Sequence, residues 1–95
     1  MAVEKLSEAA IQGALAELAG WTVVEGKLHR ECTFRDFVAA FGFLTQVAIA
    51  SEKMDHHAEI YNVYNRVRLD LTTHDAGGIS QRDLDLAQKI NTLLA

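Results

Sequence analysis

Apolar residues recur along this chain with two different periods, and the changes of period mark its elements. From Ser7 to about Ala19, Ala10, Ala14, Leu15 and Leu18 return at near-helical spacing, with Ser7 placed to cap the first turn and Gly20 to end the helix. Trp21–Val24 and Lys27–Thr33 then read as two strands of a hairpin, since β-branched and aromatic residues flank Glu25-Gly26, a turn whose glycine can take positive φ. Thr33 with Asp36 three positions later is a capping-box signature for a second helix of about 20 residues.

That second helix carries two apolar stripes. Phe34, Phe37, Val38, Phe41, Leu44, Thr45 and Ala48 follow the i, i+3, i+4, i+7 rule and are expected to face a sheet. Ala40, Phe43, Val47, Ala50 and Met54 form another stripe, roughly 140° away at 100° per residue. A chain of 95 residues has little mass to bury a helix all round, so the second stripe is expected to meet a partner copy. On this reading Phe43→Glu or Val47→Glu would dissociate an oligomer.

Glu59–Tyr64 and Val67–Thr73 are the next two strands, the latter alternating Val67, Leu69 and Leu71 against Arg68, Asp70 and Thr72, with Asn65 at the turn between them. Asp75-Ala76-Gly77-Gly78 reads as a flexible loop, and Ser80 caps a last helix whose Asp83, Ala87, Ile90 and Leu94 share one face. No proline, repeat or low-complexity linker divides residues 1–95, so they read as a single domain. The order α-β-β-α-β-β-α predicts an α+β fold, a four-stranded antiparallel sheet with three helices packed on one face.

Composition narrows the function. A hydrophobic fraction of 49% with 23% charged residues is that of a globular chain. The net charge of −4, without a Lys/Arg block, lacks the clustered positive patch that direct nucleic-acid binding needs. The longest apolar run, Phe37 to Leu44, is far short of the roughly 20 residues of a membrane helix. Cys32 is the only cysteine, and Glu4 and Glu8 close behind Met1 do not resemble a signal peptide, so a reducing, cytoplasmic home is expected.

The chemistry is concentrated between Glu52 and Asp83. Three of the four histidines, His56, His57 and His74, fall there, with Asp55 and Tyr64 between them. Imidazoles and carboxylates are the groups that move protons near neutral pH, which points to an acid/base enzyme. Glu52, placed by the periodicity on the core-facing stripe near the helix end, is expected to be half-buried and to fix an imidazole tautomer. Asp83 sits where an acidic residue favours a helix N-terminus, on the inward stripe. His29, on the polar side of its strand, is expected to be a solvated surface residue. Adjacent histidines point apart and no HExxH or cysteine pair accompanies them, which disfavours a metal site. Cys32, Ser51 and Ser80 lack the neighbours of a nucleophile, and Gly77-Gly78 is no phosphate loop.

The spacing Glu52-x-x-x-His56-His57, an aromatic at Tyr64, His74 nine residues before Asp83, and the stretches Phe37–Phe43, Tyr61–Asn65 and Thr73-His74 resemble the pterin-4a-carbinolamine dehydratases, from Trp21 to about Ile90. The resemblance implies the same α+β fold and dehydration of a 4a-hydroxytetrahydropterin to quinonoid dihydropterin plus water, in regenerating a tetrahydrobiopterin-type cofactor for an aromatic amino-acid hydroxylase. It also implies that His56 and His74 are the acid/base pair and that His57 binds and orients the pterin, with Glu52, Asp55, Tyr64 and Asp83 in support. No metal or organic cofactor is required by that chemistry. The family forms dimers through sheet edges and tetramers through helices, so the resemblance implies a homotetramer, with a homodimer as the fallback. A rival class is a non-catalytic dimerisation or assembly factor on the same fold, since members also act as dimerisation partners of a transcription factor. One departure stands out: the family usually has proline after the double histidine, and here it is Ala58.

Overall fold

Every element starts at a cap or a turn that its sequence supplies. In the computed structural model, which describes residues 3–95, these are α1 (Glu8–Leu15), β1 (Thr22–Val24), β2 (Lys27–Thr33), α2 (Phe37–Met54), β3 (Glu59–Val63), β4 (Arg66–Leu71), a 3-10 turn (His74–Ala76) and α3 (Gln81–Leu94). The expected order is present. Ser7 caps α1 by accepting from the Ala10 N–H, and Glu25 and Gly26 both take positive φ at the β1–β2 hairpin. The cap of α2 is Asp36, which accepts from the Ala39 N–H at 2.8 Å; Thr33 ends β2 instead of opening the helix. The 3-10 turn and a bridge between Thr73 and Gly78 give structure to the stretch expected to be a flexible loop.

Helix α1 is shorter than its periodicity predicts. After Leu15 the chain tightens through Glu17 N–H to Ala14 O and Leu18 N–H to Leu15 O bonds, then turns at Gly20 with φ +87°. A side chain at Gly20 would collide with the Arg30 guanidinium, which donates to the Ala19 carbonyl and to Asn91. Leu18 and Trp21 thereby enter the core as parts of a turn.

The strands form one antiparallel sheet in the order β1-β2-β4-β3, so β4 is inserted between its sequence neighbour β3 and the more distant β2. Register sorts the side chains. Leu28, Leu69, Leu71 and Val67 lie on the inner face with Leu86, Ala87 and Ile90 of α3 against them in one core. On the opposite face Lys27, His29, Glu31, Arg68, Asp70 and Glu59 stand in cross-strand rows with no helix over them.

The two stripes of α2 are the reverse of the expectation. Ala40, Phe43, Val47 and Ala50 are buried in the core, with Leu44 and Ser51 at the edges of that face. Phe37, Val38, Phe41 and Ile49 are exposed by 47 to 78%. The periodicity identifies two apolar faces without ranking them, and bulk is a poor guide: the small Ala40, Ala50 and Ser51 lie on the buried face, while the larger Phe37 and Phe41 stay outside. Phe43 and Val47 are therefore core residues. Glu52 turns outward with the exposed face, 77% exposed in its side chain, and is not half-buried.

His29 also departs from its expected surface role. Its side chain is only 13% exposed, with Nδ1 2.7 Å from Asp70 Oδ1 and Nε2 2.9 Å from Glu31 Oε2. Register explains this, because His29 lies directly opposite Asp70 across the β2–β4 ladder and two residues from Glu31 on the same face. Hydrogen bonding to Glu31, then to Asp70, raises its pKa above the usual imidazole value. Among the described residues no helix is long and apolar enough to cross a membrane.

The stability that His29 contributes should depend on pH in a defined sense. A pKa higher in the folded than in the unfolded chain means that the contribution is complete below the unfolded value of ~6.5 and is lost as pH rises through the folded value. Urea unfolding should show wild type more stable than His29→Gln near pH 6, with the difference shrinking toward pH 9. An equal difference at both pH values would refute the charged His29 pairing.

Candidate active site

The C-terminal end of α2 sets the site. Asp55 takes the left-handed conformation (φ 49°, ψ 43°); its N–H bonds to Glu52 O, and the His56 N–H reaches back to Ser51 O at 3.0 Å. This is a Schellman ending with aspartate where glycine is usual, a position that aspartate tolerates better than most residues. The sharp turn sends consecutive side chains apart. His56 is buried at 8% exposure, while the His57 side chain is 58% exposed.

Each of these two rings has its own carboxylate. His56 Nε2 lies 2.5 Å from Asp83 Oδ1, and His57 Nε2 lies 2.5 Å from Glu52 Oε1. Asp83 is fully buried, at the N-terminus of α3, where it completes a capping box with Ser80. Its Oδ2 accepts from the Ser80 N–H at 2.9 Å and from the Thr73 hydroxyl at 2.8 Å. Asp83 does point inward near the end of β4, as its stripe suggests, but its imidazole partner is His56.

His74 follows β4 and opens the 3-10 turn, with its side chain toward solvent. The backbone beneath it is clamped by reciprocal Thr73–Gly78 bonds of 2.9 and 3.3 Å. The three histidines and Asp55 line one cleft of about 230 Å³, closed on its other side by Thr72, Thr73, Asp75 and Arg82. Glu52 and Asp83 stand behind the rings. Tyr64 is not brought to this cleft: it occupies the β3–β4 turn, at the opposite end of β4 from His74, with φ 51° and its side chain largely exposed. At ~3.3 Å per residue the length of β4 separates the two.

Sequence reading missed Arg82, Thr72, Thr73 and Asp75 as lining groups, since each looks like an ordinary helix-start or strand-end residue. The available signal was adjacency: Thr73 precedes His74, and Arg82 lies inside the Ser80–Asp83 cap. Among the described residues no group of three or more His, Cys, Asp or Glu is disposed to share a metal ion. A second hollow of about 650 Å³, between the start of α1, the β1–β2 turn and Gly77–Ile79, contains no histidine.

The family model for pterin 4 alpha carbinolamine dehydratase matches residues 4–93. A protein of Solibacter usitatus (strain Ellin6076) named "Putative pterin-4-alpha-carbinolamine dehydratase" is 59% identical over 91 residues, covering 96% of each chain. A protein of Rhodopseudomonas palustris (strain HaA2) with the same name is 50% identical over 93 residues, 96% of this chain and 92% of its own. The crystal structure of a transcriptional coactivator/pterin dehydratase from Brucella melitensis matches with a TM-score of 0.92 at 40% identity, covering 97% of this chain and 100% of that one. The chain belongs to the pterin-4-alpha-carbinolamine dehydratase family and is, as such, a hydro-lyase.

Proposed function

We propose that the cleft dehydrates a 4a-hydroxytetrahydropterin to the quinonoid dihydropterin, in regenerating a tetrahydropterin used by an aromatic amino-acid hydroxylase. The observation that carries this reading is the convergence of three imidazoles on one cleft, two of them held from behind by a carboxylate. In the reaction the C4a–O bond breaks, the departing hydroxyl takes a proton and leaves as water, and N5 loses its proton as its lone pair drives the departure. One acid and one base are therefore needed. His56 and His74 fill these roles, because they come from different elements and can address the pterin from two sides of the cleft. His57, solvent-exposed and steadied by Glu52, binds and orients the ring, while Arg82 and Asp55 supply charge at the rim.

Removal of a general acid or base costs ~10² to 10⁴ in rate, so His74→Ala should lose turnover on that scale and stay folded. His57→Ala should raise KM more than it lowers kcat. His56→Ala needs a stability measurement beside it, since it strands the buried Asp83 carboxylate and should cost about 3–5 kcal/mol. Dehydratase turnover unchanged over the spontaneous reaction in all three variants would refute the assignment. Absence of turnover in the wild type would favour the non-catalytic assembly factor.

A second copy of the chain is the proposed occupant of the exposed face of α2. Phe37, Val38, Phe41 and Ile49 lie there together, and burial of such side chains is worth ~1.5 to 3 kcal/mol each. The free edge of β3, with Ile60 and Tyr61 half-exposed, offers a second contact. Phe41→Glu should convert the oligomer to a smaller folded species in sedimentation, whereas Val47→Glu, a change in the core, should unfold the chain. A strictly monomeric wild type would refute self-association.

A further inference from the structure

Hydrogen-bond bookkeeping at the start of α3 singles out a residue with no assigned role. The Thr73 hydroxyl lies 2.8 Å from Asp83 Oδ2 and 2.5 Å from the Ser80 hydroxyl, and all three residues are 3% exposed or less. A threonine hydroxyl has one proton to give. Thr73 gives it to the carboxylate, so the Ser80 hydroxyl must donate to Thr73. Ser80 Oγ in turn accepts from the Arg82 N–H at 3.2 Å. The direction of every bond in the chain is thereby set, from the Arg82 backbone through Ser80 and Thr73 to Asp83.

The far end of this chain is His56. Asp83 Oδ2 already accepts two hydrogen bonds, and Oδ1, the acceptor that the group has left, lies 2.5 Å from His56 Nε2. His56 then carries its proton on Nε2 and leaves Nδ1 as the free nitrogen. Through its backbone the same Thr73 anchors the other side of the cleft: its N–H donates to Gly78 O, its carbonyl accepts from the Gly78 and Ala76 N–H groups, and His74 is the next residue. We propose that Thr73 is the positioning residue of this site, with its hydroxyl holding Asp83 and so the tautomer and orientation of His56, and its backbone holding His74. This inference rests on the dehydratase reading for its consequence in catalysis, not for the relay itself.

The test separates hydroxyl from packing. Thr73→Val keeps the shape and removes the donor, while Thr73→Ser keeps the donor and removes a methyl. On ¹⁵N-labelled protein without ligand, at a pH where imidazoles are neutral, wild-type His56 should show a protonated Nε2 whose proton exchanges slowly with water. That proton should exchange at least roughly tenfold faster in Thr73→Val and return toward wild type in Thr73→Ser. Turnover should follow the same order, since loss of a partner that orients a functional imidazole typically costs about 10- to 100-fold. A wild-type ring protonated on Nδ1 overturns the proposal without any variant, even if Thr73→Val does not fold. Unchanged exchange in a folded Thr73→Val also overturns it. The expected exchange pattern in a protein without dehydratase turnover would uphold the relay and remove the dehydratase reading instead.

Discussion

The buried pair of His56 and Asp83 is the joint on which the rest of the site depends. It ties the C-terminal end of α2 to the N-terminal end of α3, and through Thr73 it takes in the end of β4. A buried polar pair seldom adds much net stability, because the desolvation of both groups offsets the hydrogen bond between them. Its value here is selective. Asp83 has three demands to meet in one place: capping α3 by accepting from the Ser80 N–H, accepting from the Thr73 hydroxyl, and holding His56. Any sliding of α3 along the sheet would break the bonds to Thr73 and His56 together, so the register of the helix and the position of the imidazole are a single choice.

The joint works because the turn before it is unusual. A helix that ended in ordinary extended backbone would not divide adjacent histidines between the core and the solvent within two residues. The left-handed Asp55 achieves this, and its backbone conformation is one that non-glycine residues adopt at some energetic cost. The Schellman bonds to Ser51 and Glu52 help to offset that cost, and Glu52 also presents its carboxylate to His57. One turn of helix thus supplies both the backbone acceptors that stabilise the turn and the carboxylate that steadies the outer ring. Ala58, in the place of the family's usual proline, is partly buried against the core, so packing contributes the restraint that a proline ring would have imposed on the preceding residue.

Much of this was legible in the sequence, and the failures share a cause. Strand alternation and caps located the α-helices and strands, though not the 3-10 turn after β4, because Glu25-Gly26, Ser80 and the Val67-Leu69-Leu71 run each have one local solution. The faces of α2 were not legible: the choice between them is made by α3 and the sheet, which a periodicity cannot see. Glu52 followed the same error outward. His29 looked solvated because parity places it on the polar face, while its burial comes from Asp70, 41 positions away in sequence and adjacent only through the β2–β4 register. Asp83 was legible as an inward-facing cap residue, yet its partner was not, since nothing local distinguishes His56 from His74.

The open face of the sheet shows the complementary solution to the same physical problem. Where no helix covers the strands, the chain uses paired charges: Lys27 with Glu59 at 2.8 Å, His29 between Asp70 and Glu31, and Arg68 over the ring of Tyr61 at 4.3 Å. The exposed Lys27–Glu59 pair adds little individually, so the effect of such a charged face lies in making it costly to strip of water. The apolar outer face of α2 has no such pairs. Stripping water from it is cheap, so the two surfaces are opposed in chemistry, and the proposed self-association falls on the helix face because desolvation costs least there.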